Sequence, residues 1–228
     1  MTGTLMRERD ALRSREAILD AAERLFAERG FANTSLSDVG AAAGLSRGTP
    51  SYFFGSKQDL YRAVLERCFA EVREAVRIGK ERALASGQPT DVVLAGAVGE
   101  YVDFLAARPN FIRLIEWEAL SDGDVSGEAG HHIGVAQEAL TAFVQELGLS
   151  AELAGEAAQF LLSIIALSWF PLIHRSTIVR ALGLDADAPD FLARRRQHVI
   201  DLVLSGLRAR SAQANGAVAH PPSTSPTP

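Results

Sequence analysis

The chain is poor in the features that mark several common classes of protein. It has one cysteine, Cys68, in 228 residues, which excludes an intrachain disulfide and suits a reducing compartment. It has no run of about 18 uncharged apolar residues, and its most apolar stretch, 160–173, is too short to span a bilayer. No stretch alternates apolar and polar residues long enough to read as a strand, so an all-α chain is expected. The first residues are polar and Arg-rich without an apolar core, so no secretory signal is expected and a cytoplasmic protein is. A basic excess is missing too, for the net charge is −5. That sum hides a gradient. Residues 1–80 hold 13 Lys+Arg against 11 Asp+Glu, or +2, and residues 81–228 hold 10 against 17, or −7. Charge therefore permits nucleic-acid binding at the N-terminal end, where Arg7, Arg9, Arg13, Arg15, Arg47 and Lys57 could form a phosphate-facing rim.

What the chain does have is dense helix punctuation between Ser35 and Leu60. Ser35 with Asp38 three residues on is a capping box, and Leu36, Val39, Ala42 and Ala43 follow as an apolar stripe. Gly44 can end that helix in the left-handed conformation. Leu45 plugs the turn, Ser46 is positioned to cap a second short helix through Phe53, and Ser56 with Asp59 opens a longer one. Upstream, Ile18, Ala21, Ala22, Leu25 and Phe26 give a helix from about Ser14 to Glu28 one apolar face, which should cover the two short helices. Helix, glycine turn, short helix is the plan of a helix-turn-helix unit.

On this plan the exposed side of the second short helix offers Arg47, Gly48, Thr49, Ser51, Tyr52 and Phe53 to a major groove. Arg47 suits guanine or phosphate, and the small Thr49 and Ser51 allow close approach to base edges. Ser35, Ser46 and Lys57 stand at helix N-termini that could hold phosphates. Pro50 reads as the fourth position of the helix, where it removes one N–H near the end of the first turn.

Segment 15–65 resembles the N-terminal domain of the tetracycline-repressor (TetR) family of bacterial transcriptional regulators. The matching residues are Ala22, Phe26, Gly30-Phe31, Thr34-Ser35, Val39, Ala43 to Thr49, Tyr52, Phe54, Gly55-Ser56-Lys57 and Leu60. Two positions depart from the family pattern. Pro50-Ser51 stand where leucine or an aromatic and a phosphate-contacting tyrosine are usual, and Tyr52 is the candidate substitute. The resemblance implies a homodimeric repressor that leaves a palindromic double-stranded operator when a small-molecule effector binds its C-terminal domain.

Downstream the chain reads as further helices at about 56–85, 90–107, 110–120, 131–147, 151–170 and 190–207, with Pro171 ending or kinking the next to last. The sequence thus divides into a flexible arm (1–12), a three-helix DNA-binding domain (13–58), a larger ligand-binding and dimerisation domain (59–210) and a disordered tail (211–228), with about nine helices in all. Helices 151–170 and 190–207 carry more apolar residues than one neighbour can cover and are expected to pair with those of a second chain; Arg194, Arg195 and Arg196 are expected to be solvated. Tyr101, Phe104, Arg113, Trp117, His131 and Trp169 have the composition of a ligand pocket, and equally that of a helical core.

Other chemistries fit less well. Gly44-Leu45-Ser46-Arg47-Gly48 spells a hydrolase nucleophile motif, but that chemistry needs a strand before the serine, and here an Ala-rich helix precedes it. Glu128, His131 and His132, near Asp122 and Asp124, fix no tetrahedral metal set. No enzyme, metal or cofactor is expected. The rival class is a helical co-regulator or scaffold that keeps the fold without binding an operator.

Overall fold

The computed structural model describes residues 2–85, 87, 90–120, 141 and 151–218. Every regular element among them is helical: α1 (Thr2–Arg29), α2 (Leu36–Ala42), α3 (Thr49–Phe54), α4 (Lys57–Ala85), α5 (Thr90–Ala107), α6 (Pro109–Leu120), α7 (Ala151–Ile173) and α8 (Phe191–Val218). A π-helical turn, Arg175–Val179, follows α7. The helix expected at 131–147 lies outside the described residues, as do His131, His132, Glu128, Asp122 and Asp124.

Four boundaries differ from those read off the sequence. α1 is helical from Thr2 rather than from about Ser14, so the expected arm is three extra turns, which Leu5, Met6 and Leu12 leave exposed. The apolar stripe stops there, but Leu, Met, Arg, Glu and Ala all favour helix and Arg13 pairs with Asp10 one turn back. α8 continues to Val218 instead of giving way to a disordered tail at 211, because Ala-rich sequence is good helix even without apolar anchors. α7 runs through Pro171 to Ile173. The recognition helix α3 begins at Thr49, two residues later than a cap at Ser46 implies.

Packing builds two cores. The first joins Ile18, Leu19, Ala22, Leu25 and Phe26 of α1 to Val39 of α2 and to Leu60, Tyr61, Val64 and Cys68 of α4, and continues into Leu105, Phe111 and Leu114. The second is smaller: Leu94 and Val98 of α5 against Ile164 of α7 and Val199 and Val203 of α8. Tyr101 packs against both. The first core therefore does not stop at the helix-turn-helix. It fuses that head to α6, so the head cannot turn without disturbing the body.

Polar groups reinforce the fusion. Arg67 of α4 holds three acids of α1, Asp20 and Glu23 at 2.7 Å and Glu16 at 3.5 Å. Buried Glu23 also accepts from Asn110 of α6 at 3.5 Å. Tyr61 donates to Glu118 of α6 at 2.6 Å, and Trp117 donates its indole N–H to Ala27 O at 3.3 Å while its ring lies over Gly30.

Candidate nucleic-acid interface

The head is assembled from local caps. Ser35 Oγ accepts from the Asp38 amide at 3.1 Å, and the Asp38 carboxylate accepts from the Ser35 amide at 3.1 Å, closing the box that starts α2. The Ser35 hydroxyl also donates to Asp38 at 2.6 Å; these bonds hold the exposed carboxyl below its usual range. Gly44 takes φ +70° at the turn, as expected. Thr34, fully buried, ties the entry to α2 back onto Gly30 O at 3.0 Å.

Pro50 proves benign for a reason the later start of α3 supplies. It occupies the second position of the helix, where an N–H has no intrahelical acceptor, so nothing is lost. Its ring is buried and faces Gly40 of α2: a Cβ there would stand 3.2 Å from Pro50 Cδ and 2.8 Å from Ser46 O. Glycine on α2 and proline on α3 thus allow the two helices to cross at close range. Ser46 does not cap α3; Gly48 is the N-cap and Ser46 Oγ shares a 2.7 Å hydrogen bond with Thr49 Oγ1 in the preceding turn. A serine between two helices and hydrogen-bonded to a threonine has none of the strand-to-helix strain of a nucleophile elbow.

The nine residues expected to face DNA separate into groups. Ser46, Arg47, Gly48, Ser51 and Tyr52 are exposed along one side of α3 and its turn, with Tyr52 at 85 %. Ser35 is exposed at the start of α2. Thr49 is half-buried and held by Ser46. Phe53 turns inward against the first core and meets Tyr52 edge-on at 5.4 Å, so it braces the tyrosine instead of contacting a groove. Lys57 is also turned inward. Its ammonium donates to Phe31 O at 2.9 Å and lies 4.3 Å over the Phe31 ring, which makes it a tie across the α1–α2 corner. Arg15, one of the arginines expected on the phosphate-facing rim, makes a contact the sequence does not reveal: its guanidinium sits 5.2 Å over the ring of Phe54 at the far end of α3. A cation–π pair across 39 positions leaves no local trace.

The described members of the expected ligand set fall in two places. Phe104 stacks edge-on with Phe111 at 5.7 Å, and Phe104, Trp169 and Tyr101 pack into the first core. Burial pushes the Tyr101 phenol above its usual range. Arg113 and Trp117 instead line a 630 Å³ cavity with Ala27 and Glu28 of α1, Leu172 and Ile173 of α7, and Arg175. That cavity lies between head and body. His131 lies outside the described residues. Among the described residues no cluster of three or more His, Cys, Asp or Glu could hold a metal, and no helix is long and apolar enough to cross a membrane.

Comparison with known proteins agrees with this anatomy at both ends. Residues 18–64 match the family described as bacterial regulatory proteins, tetR family, and residues 92–203 match the tetracyclin repressor-like C-terminal domain, together more than two thirds of the chain. The HTH-type transcriptional repressor NicS of Pseudomonas putida is 27% identical over 212 residues, 90% of this chain and 97% of that protein. The HTH-type regulator AcrR of Shigella flexneri is 36% identical over 67 residues, covering 29% of this chain and 31% of that protein. Among solved structures, the putative transcriptional regulator SCO4942 of Streptomyces coelicolor superposes with a TM-score of 0.61 at 24% identity, covering 83% of this chain and 96% of the other. A transcriptional regulator of Rhodococcus sp. Rha1 gives 0.63 at 18%, covering 84% and 96%. These two likenesses speak for the fold alone. The chain belongs to the tetR family of bacterial regulators and is a DNA-binding transcriptional regulator, not an enzyme.

Proposed function

We propose that the chain is a cytoplasmic repressor that binds a pseudo-palindromic operator as a homodimer and lets go when a small molecule binds its body. The observation that carries the reading is the exposed set of Ser51 and Tyr52 on a recognition helix, with Arg47 in the turn before it, whose other side is locked by Pro50 and Phe53 into the head. A helix so held presents fixed side chains to a groove, which is what base reading requires. Pro50 costs the helix no hydrogen bond, so it gives no support to a scaffold of the same fold without operator binding.

Two further observations support pairing and release. Leu162 and Phe170 on α7 and Leu192 and Leu202 on α8 are exposed large apolar residues on adjacent helices, a surface suited to the same helices of a second copy. The ties from α6 to α1 and α4 give a ligand in the body a rigid lever on the head. A ligand that favoured the displaced arrangement by roughly 1–3 kcal/mol would weaken operator binding about 5- to 150-fold. A gel shift on the DNA upstream of the chain's own gene tests the reading. Arg47→Ala and Tyr52→Ala should each weaken the shift, and two unchanged shifts would remove α3 as the reading element.

A further inference from the structure

A proline inside a helix strands the carbonyl four residues back, because the ring nitrogen carries no hydrogen. In α7 the stranded group is Leu167 O, opposite Pro171, yet the helix goes on to Ile173. The missing donor comes from another helix. Arg195 of α8 directs Nη2 to Leu167 O at 2.7 Å and Nε to the same atom at 3.2 Å. No neighbour in α7 supplies the need: buried Ser168 spends its hydroxyl on Ile164 O at 2.6 Å, and Pro171 is itself buried. Arg195 differs from the arginines beside it. Arg194 pairs with Asp190 at the surface at 3.2 Å, and Arg196 lies on Gly99 of α5 near Asp103 at 3.6 Å. Among the described residues Arg195 has no carboxylate partner. Its forked donors are spent on a backbone carbonyl, and a planar, weakly hydrated guanidinium suits that half-buried position better than an ammonium would.

We propose that Arg195 is a positioning residue that replaces the hydrogen bond Pro171 deletes, and that this crossed tie sets how α8 lies along α7. The two residues then form one device: the proline ring frees the carbonyl and turns it outward, and the arginine uses it as an anchor. The device fixes the relative placement of Leu162 and Phe170 with Leu192 and Leu202; only this consequence for pairing of two chains rests on the dimer reading above.

A double-mutant cycle on the full-length chain tests it, with urea unfolding at one protomer concentration and sedimentation equilibrium on the same samples. In the natural background Arg195→Met should reduce the folding equilibrium constant by about 5-fold or more, the lower end of the cost of an unsatisfied acceptor, since Leu167 is half-buried. In Pro171→Ala, where position 171 regains an N–H for Leu167 O, the same substitution should cost less than about threefold. An Arg195 that merely packs would cost the same in both backgrounds, and that result overturns the proposal. Should Arg195→Met fail to fold alone, recovery in the double variant supports the proposal and continued failure contradicts it. A natural chain that sediments as a monomer removes the consequence for pairing and leaves the outcome of the cycle untouched.

Discussion

Tyr61 of α4 and Glu118 of α6 share a 2.6 Å hydrogen bond although 57 residues separate them, and both are buried. Burial, then the carboxylate, pushes the phenol above its usual range, so it remains a neutral donor wherever the protein is folded. Its ring meets Phe26 at 4.9 Å and Phe31 at 5.1 Å, both close to the exit of α1. One side chain thus bonds to the body with its oxygen and packs into the head with its ring. Tyr61→Phe keeps the ring and takes a donor from a buried carboxylate, so it should cost about 1–3 kcal/mol of stability. Urea unfolding checks this, and a loss under about 0.5 kcal/mol would mean that the pair adds nothing to the joint.

Lys57 separates two readings of one residue. If its ammonium served only to hold a phosphate, Lys57→Met would weaken DNA binding and leave stability alone. Bonded to Phe31 O and resting on the Phe31 ring, it should do both. We expect the variant to lose about 1 kcal/mol or more, since hydrogen bonds to charged groups contribute more than neutral ones. Thermal unfolding without DNA is the measurement, and an unchanged midpoint would mean that the Phe31 contacts add nothing to stability.

Gly40→Ala should damage the head more than its size suggests. The added methyl would stand 2.8 Å from Ser46 O, a backbone atom that cannot swing away. Relief requires α3 to move off α2, at a cost typical of overpacking, about 1–3 kcal/mol. Operator affinity should fall with it, because α3 carries Tyr52 and the turn leading into it carries Arg47. Full affinity in this variant would show that the close crossing does not set the reading helix.

Which parts of this structure were legible in the sequence follows from how far each cause reaches along the chain. The Ser35–Asp38 box, the Gly44 turn and the bounds of α4, α5 and α6 came out as read, because caps and stripes act within a turn or two. The start of α3 lies two residues beyond the one the sequence suggests: Ser46 looks like a cap, and only the geometry shows its hydroxyl engaged by Thr49. Pro171 reads as a stop or a kink because its rescuer, Arg195, is 24 residues away and looks like one of three surface arginines. The tie made by Lys57 leaves no trace for the same reason: its acceptor at Phe31 lies 26 residues upstream. Aromatic composition does not distinguish a core from a cavity wall, so the sequence leaves the two open for these residues. Phe104 and Trp169 went to the core, and Trp117 went to the space between head and body.

Cys68 should be inert in the folded protein. It is 2 % exposed, and burial, then the Glu23 carboxylate, pushes its thiol up to about 12. The thiolate that reacts with alkylating agents is therefore scarce at pH 8, whereas an unfolded cysteine ionises near 8.5. Iodoacetamide at pH 8 should label the native chain about a thousandfold more slowly than the urea-unfolded chain. Comparable rates would place the thiol in contact with solvent.

The most direct test is the salt-controlled affinity of the full-length chain for its own upstream DNA against a scrambled fragment of equal length, read by fluorescence anisotropy. Bound as a paired reader through Arg47, Ser51 and Tyr52, it should prefer the upstream fragment by about a thousandfold or more at moderate salt, a preference that Tyr52→Ala reduces. Equal affinity for the two fragments, or a preference that survives both Arg47→Ala and Tyr52→Ala, would contradict the account.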